Sequence, residues 1–320
     1  MLEGYLALKR IARKGRLDHF QTNQTREYPM TLYRNTTIDG LNVFYREAGR
    51  VDAPTIVLLH GFPSSSHMYR DLIPKLSDRF HVIAPDYIGF GFSAQPTSSE
   101  FTYTFDNLTS HVEKLLFGVL GLKKFSIYVQ DYGAPVGFRI ATRHPEAIEG
   151  IVVQNGNAYV EGISSAFDPL KPFWTNRNSE TEKPARALLT LKTTQFQYTH
   201  GMKDVSAVSP DSWTFDQHFL DRPGNDAIQL DLLHNYTSNI ALYDEWHQYF
   251  CERQPQTLIV WGQNDPFFTV AGAKAFMKDL PKAELHLLDS GHFAIEDSGD
   301  FIAERIREFL DFADRKQASR

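Results

Sequence analysis

Six short apolar runs, each stopping at a turn or at a residue able to do chemistry, constrain this chain more than any other feature. Residues 55–59 (Thr-Ile-Val-Leu-Leu) run into His60-Gly61-Phe62-Pro63, and residues 81–85 end at Asp86. Residues 125–129 end at Gln130-Asp131-Tyr132-Gly133, and residues 148–153 at Gln154-Asn155-Gly156. Residues 257–261 end at Gly262-Gln263-Asn264-Asp265, and residues 284–288 at Asp289-Ser290-Gly291-His292. A strand that is apolar along its whole length must be covered on both faces, as in a parallel sheet flanked by helices. Helical patterns separate the runs: residues 106–120, with Asp106 as the expected N-cap and Gly121 as the stop, then 138–143, and finally 300–312. The alternation predicts the α/β class with a mostly parallel, doubly wound sheet. Asp39-Gly40, between residues 30–35 and 41–45, predicts a hairpin, so the sheet starts antiparallel.

The alternation stops between residues 157 and 245. That stretch carries Pro169, Pro172, Pro184, Pro210 and Pro223 among many aromatics and shows no strand pattern. Loops beyond roughly 15 residues are uncommon in compact domains, so the stretch reads as an inserted helical cap. The expected organisation is an N-terminal extension (1–29), a core in two pieces (30–156 and 246–320) and the cap (157–245).

Composition narrows the function. The 320 residues carry a net charge of −6, which disfavours an electrostatic grip on nucleic acid or anionic lipid. No run approaches the roughly 18 apolar residues of a membrane span. One cysteine, Cys251, cannot form an intramolecular disulfide and reads as a small buried residue in a reducing, cytoplasmic setting. The basic N-terminus (Lys9, Arg10, Arg13, Lys14, Arg16) reads as a solvated helix, with an organelle-targeting role as the alternative. The 24 Phe and 14 Tyr suggest a deep apolar interior that includes a pocket.

Catalytic groups in open α/β sheets collect at the carboxyl ends of strands. Asp131, Asp265 and His292 sit there in the order nucleophile, acid, histidine. Alone, Asp131 reads as a helix N-cap; in this company it reads as a nucleophile on a sharp strand-to-helix turn. Gly133 allows the helix to pass close to the strand, and Pro135 suits its first turn. Asp265 can orient the His292 imidazole through Nδ1. Backbone N–H groups of Phe62 and Tyr132 are placed to form an oxyanion hole. The histidines at 200, 218, 234 and 247 lack the close pairing of a metal helix, so no metal is expected. Gly89-Phe90-Gly91 is too short for a dinucleotide loop and reads as a turn, so no cofactor is expected either.

With these motifs in view, residues 30–315 resemble the Asp-nucleophile branch of the α/β-hydrolase superfamily, which holds haloalkane dehalogenases and epoxide hydrolases. Val-Gln-Asp131-Tyr-Gly is similar to the family's Val-x-Asp-Trp-Gly elbow, with Tyr132 replacing tryptophan. Asn264-Asp265-Pro266 and Ser290-Gly291-His292-Phe293 resemble its acid and histidine loops. The resemblance implies the α/β-hydrolase fold, a covalent ester on Asp131, and a small apolar organic substrate, in a monomer or homodimer. It also implies cap tyrosines acting on an epoxide oxygen. Tyr236, 29 residues before Asp265, matches one of them, while Tyr198, Trp174 and Tyr159 are open alternatives for a second. Phe62 and Tyr132 depart from the halide-holding side chains of haloalkane dehalogenases. Epoxide opening is therefore the first expectation and carbon–halogen cleavage the second, with ligand binding without turnover as a reading of another class.

Overall fold

The computed structural model describes residues 30–318. The expected N-terminal helix, and with it the charge cluster from Lys9 to Arg16, lies outside them. An eight-stranded sheet occupies the centre: β1 (Leu32–Ile38), β2 (Leu41–Ala48), β3 (Thr55–Leu59), β4 (His81–Pro85), β5 (Phe125–Gln130), β6 (Ile148–Gln154), β7 (Thr257–Gly262) and β8 (Glu284–Leu288). Their spatial order is β1-β2-β4-β3-β5-β6-β7-β8. β1 pairs antiparallel with β2, β2 antiparallel with β4, and every later pair is parallel. This is the α/β-hydrolase fold. The β1–β2 hairpin turns at Asp39 and Gly40, both with positive φ (51° and 81°), as a tight hairpin of right-twisted strands requires.

Every residue of β3, β4, β5 and β7 is buried, because helices cover both faces. The helices before β6 are α1 (Leu72–Leu76), α2 (Phe105–Glu113) and α3 (Gly133–Arg143). Between β6 and β7 come α4 (Lys171–Thr175), α5 (Glu182–Ala187), α6 (Leu191–Thr199), α7 (Pro210–Leu220), α8 (Asn225–Asn235), α9 (Thr237–Ile240) and α10 (Tyr243–Arg253). α11 (Val270–Asp279) and α12 (Ile295–Ala318) complete the chain. The alternation of side chains along β3 and β5 divides the interior. Val57, Leu59, Ile127 and Val129 face the core built with α2, α3, α10 and α11. Ile56, Leu58 and Tyr128 face the core built with α1 and α12. Each such aliphatic side chain contributes about 1.5–3 kcal/mol when fully buried.

Three local expectations change. The N-cap of α2 is Thr104, whose side chain accepts from Asn107 N–H, while Asp106 lies in the first turn. Regular α-helix then gives way to a wider π-helical turn over Lys114–Val119 before Gly121 at φ 64°. Cys251 is exposed, because α10 turns Trp246 and Phe250 inward against Phe138 of α3 and leaves position 251 on its outer side. No helix among the described residues is long and apolar enough to cross a membrane.

Candidate active site

Asp131 follows the last residue of β5 and takes φ 48°, a left-handed backbone that an L-residue adopts only under constraint. Gly133 supplies the constraint: a β-carbon there would lie 2.0 Å from the Leu59 carbonyl oxygen, so only glycine lets α3 start this close to β3. The sharp turn drives the Asp131 carboxylate out of the sheet and toward the loop after β3. There the Phe62 N–H donates to Oδ1 at 2.6 Å, and the Tyr132 N–H also donates to the carboxylate. Burial pushes the Asp131 carboxyl up to about 6, against the opposing pull of His292 and of the two N–H donors.

The other two members of the constellation arrive from β7 and β8. Asp265 Oδ2 lies 2.8 Å from His292 Nδ1, and both residues are buried. Asp265 is itself held on two sides, by the Phe267 N–H at 2.7 Å and by the Asn155 side-chain amide at 2.8 Å. Burial alone would lower the basicity of His292. Its contact with Asp265 and the nearby Asp131 charge outweigh that and raise its pKa above the usual histidine range. With the Nδ1 proton facing Asp265, Nε2 carries the lone pair. Asp131, Asp265 and His292 are thus brought together with the Phe62 and Tyr132 N–H groups, the arrangement needed for nucleophilic attack followed by base-assisted hydrolysis.

Two residues that the sequence reading passed over hold this centre. Asn155, φ 43°, follows β6; it bridges Asp265 to β7 by accepting the Gly262 N–H at 2.9 Å. Gln130 lies directly before Asp131, and its amide nitrogen sits 3.0 Å from His292 Nε2. Both stand at strand ends beside catalytic candidates, which is the one signal that marked them. His60 has a supporting place instead. It is fully buried, stacks on Tyr87 at 4.1 Å and accepts the Tyr87 N–H through Nε2, and burial lowers its pKa to about 3.

Above the elbow lies a partly enclosed cavity of about 40 Å³, room for a few water-sized groups, lined by Asp131, His292 and a mainly apolar wall. Tyr236 and Trp174 belong to that wall, stacked on each other at 5.7 Å. The Tyr236 phenol hydrogen-bonds with Tyr243, whose oxygen also accepts from Asn157 at 3.1 Å. Burial holds the Tyr236 hydroxyl protonated, well above the usual range. The Tyr132 hydroxyl and Trp174 Nε1 are buried and have no partner. Tyr198 is not in the wall: its hydroxyl donates to Asp216 at 2.5 Å and its ring stacks on Phe293 at 3.9 Å. Its neighbour Gln197 lines the cavity instead. Tyr159 is also elsewhere, donating to Asp279 at 2.7 Å and stacked on His247.

Comparison with known proteins bears on the fold and the family. Residues 54–298 match the family model for the alpha/beta hydrolase fold. The chain is 42% identical to the uncharacterized hydrolase YNR064C of Saccharomyces cerevisiae over 84% of this chain and 93% of that one. It is 32% identical to a haloalkane dehalogenase of Mycobacterium marinum, covering 83% and 88% of the two chains. The solved structure of the epoxide hydrolase CorEH superposes with a TM-score of 0.72 at 18% identity, covering 88% and 99%.

Proposed function

The chain belongs to the α/β-hydrolase superfamily, as a hydrolase of the dehalogenase and epoxide-hydrolase type, and from that premise we propose that it opens small epoxides through an ester formed on Asp131. One observation carries this reading: a buried, protonated tyrosine, Tyr236, lines the same cavity as the Asp131 carboxylate. An Asp131 oxygen attacks an epoxide carbon, the carbon–oxygen bond of the ring breaks, and the ring oxygen takes the electron pair. Tyr236 gives that oxygen its proton, and Tyr243 stabilises the phenolate left behind. The epoxide oxygen, a strong base once the ring opens, draws a proton that a phenol of high pKa still releases.

In the second half, His292 Nε2 removes a proton from water, and the resulting hydroxide attacks the Asp131 ester carbon. The negative oxygen forms beside the Phe62 and Tyr132 N–H groups. Collapse releases the diol as the His292 proton passes to the departing oxygen, and the proton that the attacking water leaves on the Asp131 carboxyl then goes to the Tyr236 phenolate, which restores both groups. Residues 157–245 act as the cap that supplies Tyr236 and Trp174 and shuts out bulk water. The apolar wall suits a small apolar organic substrate.

A second reading has its own support. The Tyr132 hydroxyl and Trp174 Nε1 are buried donors without partners, which a departing halide would satisfy without needing a proton. The named dehalogenase relative adds to it. A single turnover in ¹⁸O-water with epoxide and haloalkane panels separates the readings. Epoxide opening is expected, with label first entering Asp131 and the first diol unlabelled. Label appearing directly in that diol rules out the ester, and turnover confined to haloalkanes rules out the epoxide.

A further inference from the structure

His292 Nε2 is the atom that must take the proton from water, yet its lone pair is not free. Gln130 is completely buried and its Nε2 stands 3.0 Å from that ring nitrogen. With the Nδ1 proton directed to Asp265, the amide N–H donates and the imidazole accepts, an arrangement that fits only the neutral ring. The other end of the same amide, Oε1, is buried and has no partner. It faces the elbow: a β-carbon on Gly61 would lie 2.7 Å from Gln130 Oε1 and 2.6 Å from Asp131 Oδ1. An unpaired carbonyl oxygen is therefore directed at the side of the glycine that the carboxylate already occupies. Packing alone gives no reason for it, since an apolar side chain of the same length would avoid an unsatisfied buried acceptor.

Resting on the ester mechanism proposed above, we propose that Gln130 is a positioning residue for its second half: its amide holds His292 neutral until water takes over the lone pair. The ionisable groups facing His292 are Asp265 from the loop after β7 and Asp131 from the elbow after β5. Both favour the charged ring, and the Gln130 N–H is the contact that opposes them.

The test uses Gln130→Met, which keeps length and volume, and Gln130→Glu, which keeps shape but replaces the amide donor with a carboxylate. The His292 ring is followed by ¹⁵N NMR in the free enzyme, and ester formation and decay by rapid quench. In Gln130→Met the His292 midpoint is expected to rise by about half to one unit, because the neutral ring loses a donated hydrogen bond. Gln130→Glu is expected to raise it further. Below that midpoint ester decay is expected to slow about 3- to 10-fold in Gln130→Met, with formation changed far less and the decay pH profile displaced upward with the NMR midpoint. An unchanged midpoint in both variants overturns the proposal, as does equal slowing of formation and decay with no displacement of the profile. The NMR midpoint needs no substrate. Midpoints that move as expected in a protein that forms no ester would sink the ester reading while leaving the Gln130–His292 contact standing.

Discussion

The elbow and the helices above it solve opposite problems. Around Asp131, Asp265 and His292 the contacts are short and mutually fixed: Phe62 N–H on Asp131, Asp265 on His292, Asn155 on Asp265. In the wall supplied by the helices between β6 and β7, contacts are mostly ring on ring, and Trp174 Nε1 and Gln197 Nε2 have no partners. A reaction needs charges held in one geometry before substrate arrives, which a hydrogen-bonded strand end provides. Choice of substrate needs shape and a few unspent donors, which packed aromatics provide. On the function proposed above, the difference divides the labour: the sheet sets which bonds are made, and the helices set what is admitted.

The sharpest break of that division comes from the elbow. Asp131→Ala removes the attacking oxygen, and ester formation is expected to fall by at least about 10⁴-fold for every substrate class. Asp131→Asn tests the charge alone. The Asp131 carboxyl sits near 6, above its unfolded value, so the folded protein holds the extra proton between about 4 and 6 and loses stability as pH rises through that window. The Asn variant is therefore expected to be more stable than the parent at pH 8, by about 3 kcal/mol, with the gap closing by pH 4. Parent ester formation is expected to rise with pH to a plateau above about 6, since only the carboxylate attacks. Chemical denaturation and rapid quench at matched pH read both, and a stability gap that grows toward low pH would contradict the stated sign.

The next test moves to the helical wall. Tyr236→Phe leaves the ring stack on Trp174 and Phe167 and removes one hydroxyl. Epoxide opening is expected to slow about 10² to 10⁴-fold, the range for a lost general acid. Haloalkane turnover, where present, should depend instead on Trp174 and Tyr132. If Tyr236→Phe and Trp174→Phe change both substrate classes in the same proportion, the wall does not select the leaving group, and the division fails.

What the sequence revealed follows the same line. Asp131, Asp265 and His292 were legible as candidates because each follows the carboxyl end of a strand, and a strand end is a local pattern that parallel topology then assembles. The start of α2 was misplaced by two residues, because Thr104 and Asp106 are both good caps and only the fold chooses between them. In the helices above the sheet the pattern fails for a physical reason. On α6, Leu191 and Phe196 are exposed while Thr194 and Gln197 are buried, so hydrophobicity does not mark the inner face. With no such mark, nothing in the sequence tells Tyr198 from Gln197, which point about 100° apart on a helix. Asn155 and Gln130 were missed for another reason. Amides carry no charge and resemble turn residues at a strand end, and their meaning lies in partners from other strands.

A smaller effect is expected one step behind the catalytic groups. Asn155→Ala removes the donor to Asp265 Oδ2 and the acceptor of the Gly262 N–H together. The buried Gly262 N–H loses its acceptor and Asp265 one of its donors, so stability should fall by about 1–3 kcal/mol. The turnover rate should fall about tenfold as Asp265 loosens its hold on His292. Full activity with reduced stability would make Asn155 a strap between β6 and β7 and nothing more.

The least effect on rate is expected at Tyr198, which shares a helix with Gln197 but not the cavity. Tyr198→Phe should leave ester formation and decay close to the parent values, in contrast to Tyr236→Phe. Its cost falls on stability. The Tyr198 hydroxyl donates to Asp216, a buried carboxyl pushed up to about 7 by burial and drawn back by this hydrogen bond and by Ser64. Removing the donor raises the Asp216 pKa further, because the ionised form loses its stronger partner. The penalty is therefore larger where Asp216 must ionise, above about pH 7, and smaller near pH 5, where it is protonated in parent and variant alike. Denaturation at pH 5 and pH 8 should show a deficit of about 1–2 kcal/mol at the higher pH and less at the lower. A deficit equal at both pH values would mean that the lost hydroxyl acts independently of the charge on Asp216. A large loss of ester formation would instead place Tyr198 in the chemistry and erase the contrast between the two tyrosines.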